Sequence, residues 1–191
     1  GFNAVFTKDQ MRVRAPFEAH FLDDLFYTNA IVDAVRTGII DAVAPKAGDH
    51  LLEIGPGQGA LTEHLAAAGT RLDCIELDRD LADFLIARHE GDSHVVIHKQ
   101  DILKFQLNSL EPAPHSLRVI GNLPYNISTP IMLWSFKNLS FFKDMHFMFQ
   151  KEFGDRLVSE NNKKSFGRIS VITQYLTKPK FCFLIEPESF S

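Results

Sequence analysis

The sequence has few cysteines, and this shortage excludes two classes of protein. Only Cys74 and Cys182 occur among the 191 residues, and both stand among apolar neighbours. We therefore expect neither a disulfide-stapled scaffold nor a zinc cluster held by thiolates. The low cysteine content suits a reducing compartment.

Long hydrophobic runs are also missing. No apolar stretch approaches the roughly 18 residues that a membrane-spanning helix needs, so we expect no membrane association. The N-terminal residues alternate apolar with charged side chains and lack the apolar block of a secretory signal peptide.

An excess of positive charge is likewise absent. Acidic residues number 24 and basic residues 20, so the formal net charge is −4. Nucleic-acid-binding proteins gain much of their affinity by neutralising phosphates, but a local basic surface can do this on an acidic protein. Net charge therefore does not decide the question. The composition, 45% apolar and 23% charged, is typical of one globular domain.

What the sequence does contain is an alternation of short apolar strands with helices. After an irregular arm over residues 1–16 and a helix over 26–43, strands are predicted at 50–54, 72–77, 95–98, 117–121, 145–149 and 180–185. Helices are predicted at 60–68, 80–89, 129–136, 151–159 and 167–175. This order predicts an α/β fold, a mostly parallel central sheet with helices on both faces. Such folds bind ligands at the carboxyl ends of their strands.

A glycine-rich turn follows the first strand of this alternation. Residues 55–60, Gly-Pro-Gly-Gln-Gly-Ala, match the dinucleotide-binding fingerprint, and Glu76 ends the next strand 21 residues after Gly55, where a ribose-binding acid belongs. Pro56 removes a backbone donor that a pyrophosphate would use, and Glu53 places a carboxylate close by. A cationic nucleoside such as S-adenosylmethionine therefore suits this turn better than a dinucleotide.

A second polar turn follows the strand at 117–121. It begins Asn122-Leu123-Pro124-Tyr125. Proline pushes Leu123 into an extended conformation, so its carbonyl is expected to point outward, beside the side-chain oxygen of Asn122. Two such acceptors can hold an exocyclic amine, and the ring of Tyr125 can stack on a base.

Metal chemistry is not expected. His94 and His98 share one strand face, but four residues of strand span about 13 Å, too far for a single ion. We expect both histidines to be surface or edge residues. Asp78 and Asp80 are expected to begin a helix rather than to form an acid–base pair.

Taken together, these motifs resemble the ribosomal RNA adenine-N6,N6-dimethyltransferase family, the small-subunit dimethylases of the kasugamycin-resistance type. The likeness covers about residues 16–191. The motifs that carry it are residues 53–62, 75–81, 101–105, 121–128, 149–152, 167–171 and 187–190. The resemblance implies a Rossmann-like class I methyltransferase fold that uses S-adenosylmethionine as its cofactor.

The resemblance also implies residue roles. The cofactor-binding residues would be His20, Leu22, Glu53, Gly55, Gly57, Gly59, Glu76, Leu77, Asp101, Ile102 and Asn122. Among these, Glu76 would bind the ribose, Asp101 the adenine amine, and His20 and Leu22 would lie over the methionine end. The target adenine would be held and stacked by Asn122, Leu123, Pro124, Tyr125 and Phe190.

Two departures from the family pattern concern the ends of the chain. The family has Phe-Gly-Gln before the motif at position 20, whereas this sequence has Phe17-Glu18-Ala19. Family members also continue past Phe190 into a helical RNA-binding domain, so we expect a truncated chain. The implied domains are an arm with the cofactor lid over 1–25 and a catalytic domain over 26–191.

The implied partner is the ribosomal RNA of an immature small subunit, methylated by a monomer at adjacent adenines near the 3′ end. The implied location is the cytoplasm of a bacterial cell, with an organelle as the alternative. Two other functions stay open: a DNA adenine-N6 methylase, which can carry a similar Asn-Pro-Pro-Tyr motif, and a non-catalytic ribosome-assembly or transcription factor on the same fold.

Overall fold

The structure is a computed structural model that describes residues 3–9, 29–123 and 125–181. Its strands are Asn3–Asp9 (β1), His50–Ile54 (β2), Arg71–Glu76 (β3), Val95–Lys99 (β4), Leu117–Asn122 (β5), Phe142–Gln150 (β6) and Lys178–Phe181 (β7). Its α-helices are Asn29–Val43 (α1), Thr62–Ala67 (α2), Arg79–Arg88 (α3), Ser128–Lys137 (α4), Lys151–Leu157 (α5) and Arg168–Leu176 (α6).

The strands form one parallel sheet in the order β4-β3-β2-β5-β6-β1-β7. The strand order reverses between β2 and β5, which lie side by side although two strands separate them in the chain. This reversal opens a crevice beyond their carboxyl ends. The predicted parallel α/β architecture is confirmed.

Both faces of the sheet are buried. In β2, Leu51 packs into one apolar cluster with helices α1 and α2, and Leu52 packs into the other, which includes α4. The two leucines join different clusters because successive strand side chains point to opposite faces, and both are 0% exposed. Helices therefore cover the sheet on both sides, as the alternation of elements predicts.

Buried polar contacts fix the amino ends of β5 and β6. Arg118 donates hydrogen bonds to Asp49 at 2.9 Å, to Asp144 at 3.0 Å and to the carbonyl of Val43 at 2.6 Å. One guanidinium thus joins the end of α1 to two strands.

None of the helices within the described ranges has the length and apolar character that crossing a membrane requires.

The N-terminal prediction is wrong for residues 3–9. The sequence predicts an irregular arm, but Asn3–Asp9 forms β1 and pairs with both β6 and β7. Val5, Phe6 and Thr7 favour strands, yet their charged neighbours break the apolar pattern, and the pairing partners lie more than 130 residues away. Strand β6 also begins three residues before its predicted start, at Phe142.

Candidate cofactor and substrate site

A cavity of about 410 Å³ lies at the carboxyl ends of β2, β3 and β5. It is open to solvent at one side, and the glycine turn, the ends of these strands and the start of α4 surround it. Its lining residues are Glu53, Ile54, Gly55, Pro56, Gly57, Leu61, Ile75, Glu76, Leu77, Asp78, Gln100, Asp101, Ile102, Leu103, Asn122, Leu123, Asn126, Ile127 and Ile131.

Backbone hydrogen bonds, one within the turn and one to β3, hold the glycine turn in shape. The N–H of Gly55 donates to the carbonyl of Ile75 at 3.0 Å, and the N–H of Gly59 donates to the carbonyl of Pro56 at 3.0 Å. Gly59 has a φ of +91°, and a Cβ there would lie 2.9 Å from Cδ2 of Leu85. Only glycine fits this position, because α3 packs directly against the turn.

Glu76 joins the glycine turn to the next loop. Its side chain is 7% exposed, with Oε2 accepting from the N–H of Gly57 at 3.0 Å and Oε1 from the N–H of Asp78 at 2.9 Å. Asp78 in turn caps α3 by accepting from the N–H of Asp80 at 2.9 Å, which confirms the predicted helix start. Each carboxylate oxygen of Glu76 has a further lone pair with which to bind a ligand hydroxyl.

Another part of the lining combines one acid with exposed apolar side chains. Asp101 accepts a hydrogen bond from the N–H of Leu103 at 3.0 Å, which caps the short 3₁₀ helix Ile102–Lys104. Leu77 is 69% exposed and Leu103 43% exposed. Large apolar side chains exposed at a cavity rim offer a flat surface to an aromatic ligand ring.

All of the charged side chains in the described lining are acidic. Four carboxylates, Glu53, Glu76, Asp78 and Asp101, line the cavity, and the described lining includes no lysine, arginine or histidine. Such a cavity attracts a cationic ligand and repels a pyrophosphate. The residues present therefore fit a sulfonium nucleoside and disfavour a dinucleotide.

The polar turn after β5 forms the remaining wall. The N–H of Leu123 donates to the carbonyl of Met148 at 3.2 Å, which fixes the chain just after Asn122. A Cβ at Gly121 would lie 3.0 Å from the Leu123 side chain and 3.2 Å from Phe147. This glycine lets the turn pack closely against β6, so that Asn122 and Leu123 face the same cavity as the glycine turn.

Most of the predicted site residues that the structure describes come together here. The cavity is lined by Glu53, Gly55, Gly57, Glu76, Leu77, Asp101, Ile102, Asn122 and Leu123, while Gly59 supports the turn. Outside the described residues lie His20, Leu22, Pro124, Phe190 and the side chain of Tyr125.

Several lining residues have no role in the sequence prediction, among them Gln100, Leu103 and Asn126. Position offers the only signal for them. Gln100 and Leu103 flank the Asp101-Ile102 pair, and Asn126 lies within the motif at 121–128. All three follow the carboxyl ends of β4 and β5, where the cavity lies.

Two of the described histidines, His50 and His98, have structural contacts. His98 lies on β4, an edge strand of the sheet among the described residues, but its side chain turns inward and lies 2.8 Å from Asp73, which is also 2.7 Å from His50. Within the described residues, no group of three or more His, Cys, Asp or Glu side chains could hold a metal ion.

Comparison with known proteins places this geometry in a family. Residues 10–191 match the family model described as ribosomal RNA adenine dimethylase. The chain is 42% identical over 182 residues to ribosomal RNA small subunit methyltransferase A of Pseudomonas fluorescens (strain Pf0-1), a match that covers 95% of this chain and 64% of that protein. The same-named protein of Coxiella burnetii (strain RSA 493 / Nine Mile phase I) is 38% identical over 95% of this chain and 67% of its own. The chain thus spans just under two thirds of the length of its Pseudomonas relatives.

Solved structures agree on the fold. A dimethyladenosine transferase from Plasmodium falciparum superposes with a TM-score of 0.66 at 25% identity, covering 79% of this chain and 52% of that one. The 23S rRNA methyltransferase ErmE superposes with a TM-score of 0.57 at 24% identity, over 73% of this chain and 53% of its own. The predicted Rossmann-like class I methyltransferase fold is confirmed, and the chain belongs to the ribosomal RNA adenine dimethylase family.

Proposed function

We propose that this protein uses S-adenosylmethionine to dimethylate N6 of adjacent adenines near the 3′ end of small-subunit ribosomal RNA, as a step of ribosome biogenesis. One observation carries the proposal: a single cavity is lined both by the acidic residues beside the glycine turn and by Asn122 and Leu123. Family membership and the names of the bacterial relatives support the choice of substrate.

The cofactor would occupy the half of the cavity formed by the glycine turn. Glu76 would accept from the ribose hydroxyls and Asp101 from the adenine amine, with Leu77 and Ile102 against the adenine ring. Glu53 would face the cationic end. His20 and Leu22 would cover that end if the N-terminal motif keeps its family role. When bound, S-adenosylmethionine supplies a methyl group on a positively charged sulfur, a good electrophile that needs no metal.

The target amine would lie at the other half. The N6 lone pair of adenine is delocalised into the ring, so this nitrogen is a weak nucleophile. If the side-chain oxygen of Asn122 and the carbonyl of Leu123 accept from the two N6 hydrogens, they aim the nitrogen and favour its tetrahedral form. Catalysis then consists mainly of positioning and electrostatic stabilisation. The nitrogen gains one methyl and loses one proton in each round.

The target base must leave its stack to reach this cavity, at a cost of a few kcal/mol. Stacking on Tyr125 and on Phe190, as the family resemblance implies, would offset this cost by about 1–3 kcal/mol per contact. The proposal further includes a monomeric protein in the cytoplasm of a bacterial cell, because the relatives named above from Pseudomonas and Coxiella are bacterial.

The test has two stages on the same purified protein. Calorimetry should first detect S-adenosylmethionine binding, and labelled methyl transfer should then be compared on undermethylated small ribosomal subunits and on duplex DNA. Transfer to N6 of the ribosomal RNA alone supports the proposal. Transfer to DNA alone would establish a DNA methylase, and cofactor binding without transfer to either substrate would contradict the proposed activity for this chain.

A further inference from the structure

Three buried polar side chains meet directly behind the glycine turn. Glu53 is 2% exposed, and Thr62 and Cys74 are both 0% exposed. The hydroxyl of Thr62 donates to Oε2 of Glu53 at 2.8 Å, and the thiol of Cys74 donates to the same oxygen at 3.6 Å. The three residues lie on β2, α2 and β3, so only the folded chain brings them together.

Because these three side chains are buried, their hydrogen bonds affect whether Glu53 and Cys74 are ionised. Cys74 belongs to an apolar cluster that includes Leu51, Leu61, Leu65, Leu72 and Ile120. Burial favours the neutral form of a carboxyl group, whereas donors aimed at the carboxylate favour its ionised form. Burial, together with the charge of Glu53, raises the pKa of the Cys74 thiol, so the thiol keeps its proton and stays a donor.

The charge on Glu53 matters because this residue also lines the cavity. Thr62 and Cys74 are not among the lining residues; they contact Glu53 from behind. A carboxylate in a partly desolvated site attracts a ligand cation more strongly than the same carboxylate would in bulk water. Methyl transfer removes the positive charge from the cofactor sulfur, whereas the amino acid end keeps its ammonium group. A carboxylate that lies close to the sulfur would therefore favour the substrate form of the cofactor over the product form.

We propose that Thr62 and Cys74 are positioning residues that hold Glu53 as a carboxylate facing the cavity, and that this triad makes the cavity prefer S-adenosylmethionine to S-adenosylhomocysteine. The inference rests on the proposed function, since it takes the cofactor from it. Beyond that function, it gives Thr62 and Cys74 a role: they favour binding of the charged cofactor and speed release of its uncharged-sulfur product.

The experiment compares both ligands on three variants of the whole chain. Thr62→Val removes the donor at nearly constant volume, Thr62→Ser restores the hydroxyl, and Thr70→Val is the matched control. Thr70 is also 0% exposed and donates to the carbonyl of Leu65 at 2.8 Å, but it does not line the cavity. Calorimetry at mildly acidic pH, where a carboxyl group without its donor is protonated most easily, gives the dissociation constant of each ligand.

We expect Thr62→Val to reduce the preference for S-adenosylmethionine over S-adenosylhomocysteine by about tenfold, with Thr62→Ser and Thr70→Val close to the parent. Cys74→Ala should shift the preference in the same direction, and it serves as the test if Thr62→Val does not fold. An unchanged preference in the folded variant overturns the inference, as does an equal change in Thr70→Val. A parent that binds neither ligand overturns the proposed function itself, which separates the two failures.

Discussion

The buried carboxylate of Glu76 accepts a hydrogen bond from the backbone N–H of Gly57 at 3.0 Å, so the end of β3 holds the turn that follows β2. Its other oxygen accepts from the N–H of Asp78. One side chain thereby fixes two loops around the cavity. The proposed ribose ligand would add to these bonds rather than replace them, because each oxygen has a second lone pair.

Glu76→Ala should therefore affect both binding and folding. We expect S-adenosylmethionine affinity to fall by about 1.5–3 kcal/mol, the value of hydrogen bonds to a charged group, and the melting temperature to fall as the turn loses its anchor. Calorimetry and thermal unfolding measure the two effects. Glu90→Ala, which removes an exposed acid outside this cavity, should change neither. Unchanged affinity at position 76 would remove Glu76 from the ribose site.

Asn122→Ala should separate binding from chemistry. Asn122 is also among the implied cofactor contacts, but its proposed hydrogen bond to the target amine matters mainly in the reacting geometry. Methyl transfer should therefore fall by orders of magnitude while cofactor affinity stays nearly constant. Single-turnover transfer to undermethylated small subunits, beside calorimetry, gives both values. Asn108→Ala, a change at an exposed asparagine, is the control. Equal losses of affinity and turnover would contradict the assignment.

Gly59→Ala should cost more stability than Gly48→Ala. Both glycines have a left-handed backbone, with φ of +91° and +89°, but a Cβ meets Leu85 at 2.9 Å only at position 59, and at position 48 it meets nothing within 4 Å. Backbone strain of about 1–2 kcal/mol is common to both variants, and overpacking adds about 1–3 kcal/mol at position 59. Urea unfolding measures the difference. Equal losses would show that α3 does not pack against the turn.

Asp73→Asn should destabilise the protein at neutral pH but not at very low pH. Burial alone would raise the pKa of Asp73, but hydrogen bonds and attraction from His50 and His98 outweigh it and lower the pKa to about 2. A depressed folded-state pKa gives stability that is complete above about pH 4 and is lost as the pH falls through about 2.

The corresponding loss in Asp73→Asn is about 2 kcal/mol at pH 7. Urea unfolding between neutral and acidic pH should show the free energies of unfolding of the parent and the variant converging as the pH approaches about 2. Asp41→Asn, a change at an exposed residue of α1, should run parallel to the parent throughout. A constant difference between parent and Asp73→Asn would contradict the pKa assignment.

The N-terminal departure stays a prediction, because residues 10–28 lie outside the described part of the chain. Glycine at position 18 would let the segment fold closely over the cofactor, and an amide at position 19 could donate a hydrogen bond. We expect Glu18→Gly combined with Ala19→Gln to tighten S-adenosylmethionine binding by about 1–2 kcal/mol. It should also protect the N-terminal segment from proteolysis when the cofactor is present. No change in either measurement would show that this segment is not the cofactor lid.

The sequence by itself predicted the α/β class, the parallel sheet and the end of the sheet at which the cavity lies. These depend on short-range patterns: β2 occupies the predicted residues His50–Ile54, and the glycines and Asn122 stand where strands end. The family resemblance depends on the same local motifs, and the comparisons confirm it over residues 10–191. Prediction from local patterns works for these features because the spacing of apolar residues differs between strands and helices and can be read directly from the sequence.

Only the tertiary structure decided which distant residues meet. Nothing local shows that Asn3–Asp9 pairs with β6, that Asp73 lies between His50 and His98, or that Thr62 and Cys74 donate to one oxygen of Glu53. Each contact depends on strand order and register, and a shift of one residue would turn these side chains to the opposite face of the sheet. Such contacts determine which buried groups carry charge, and burial and charge are properties of the packed chain rather than of any segment.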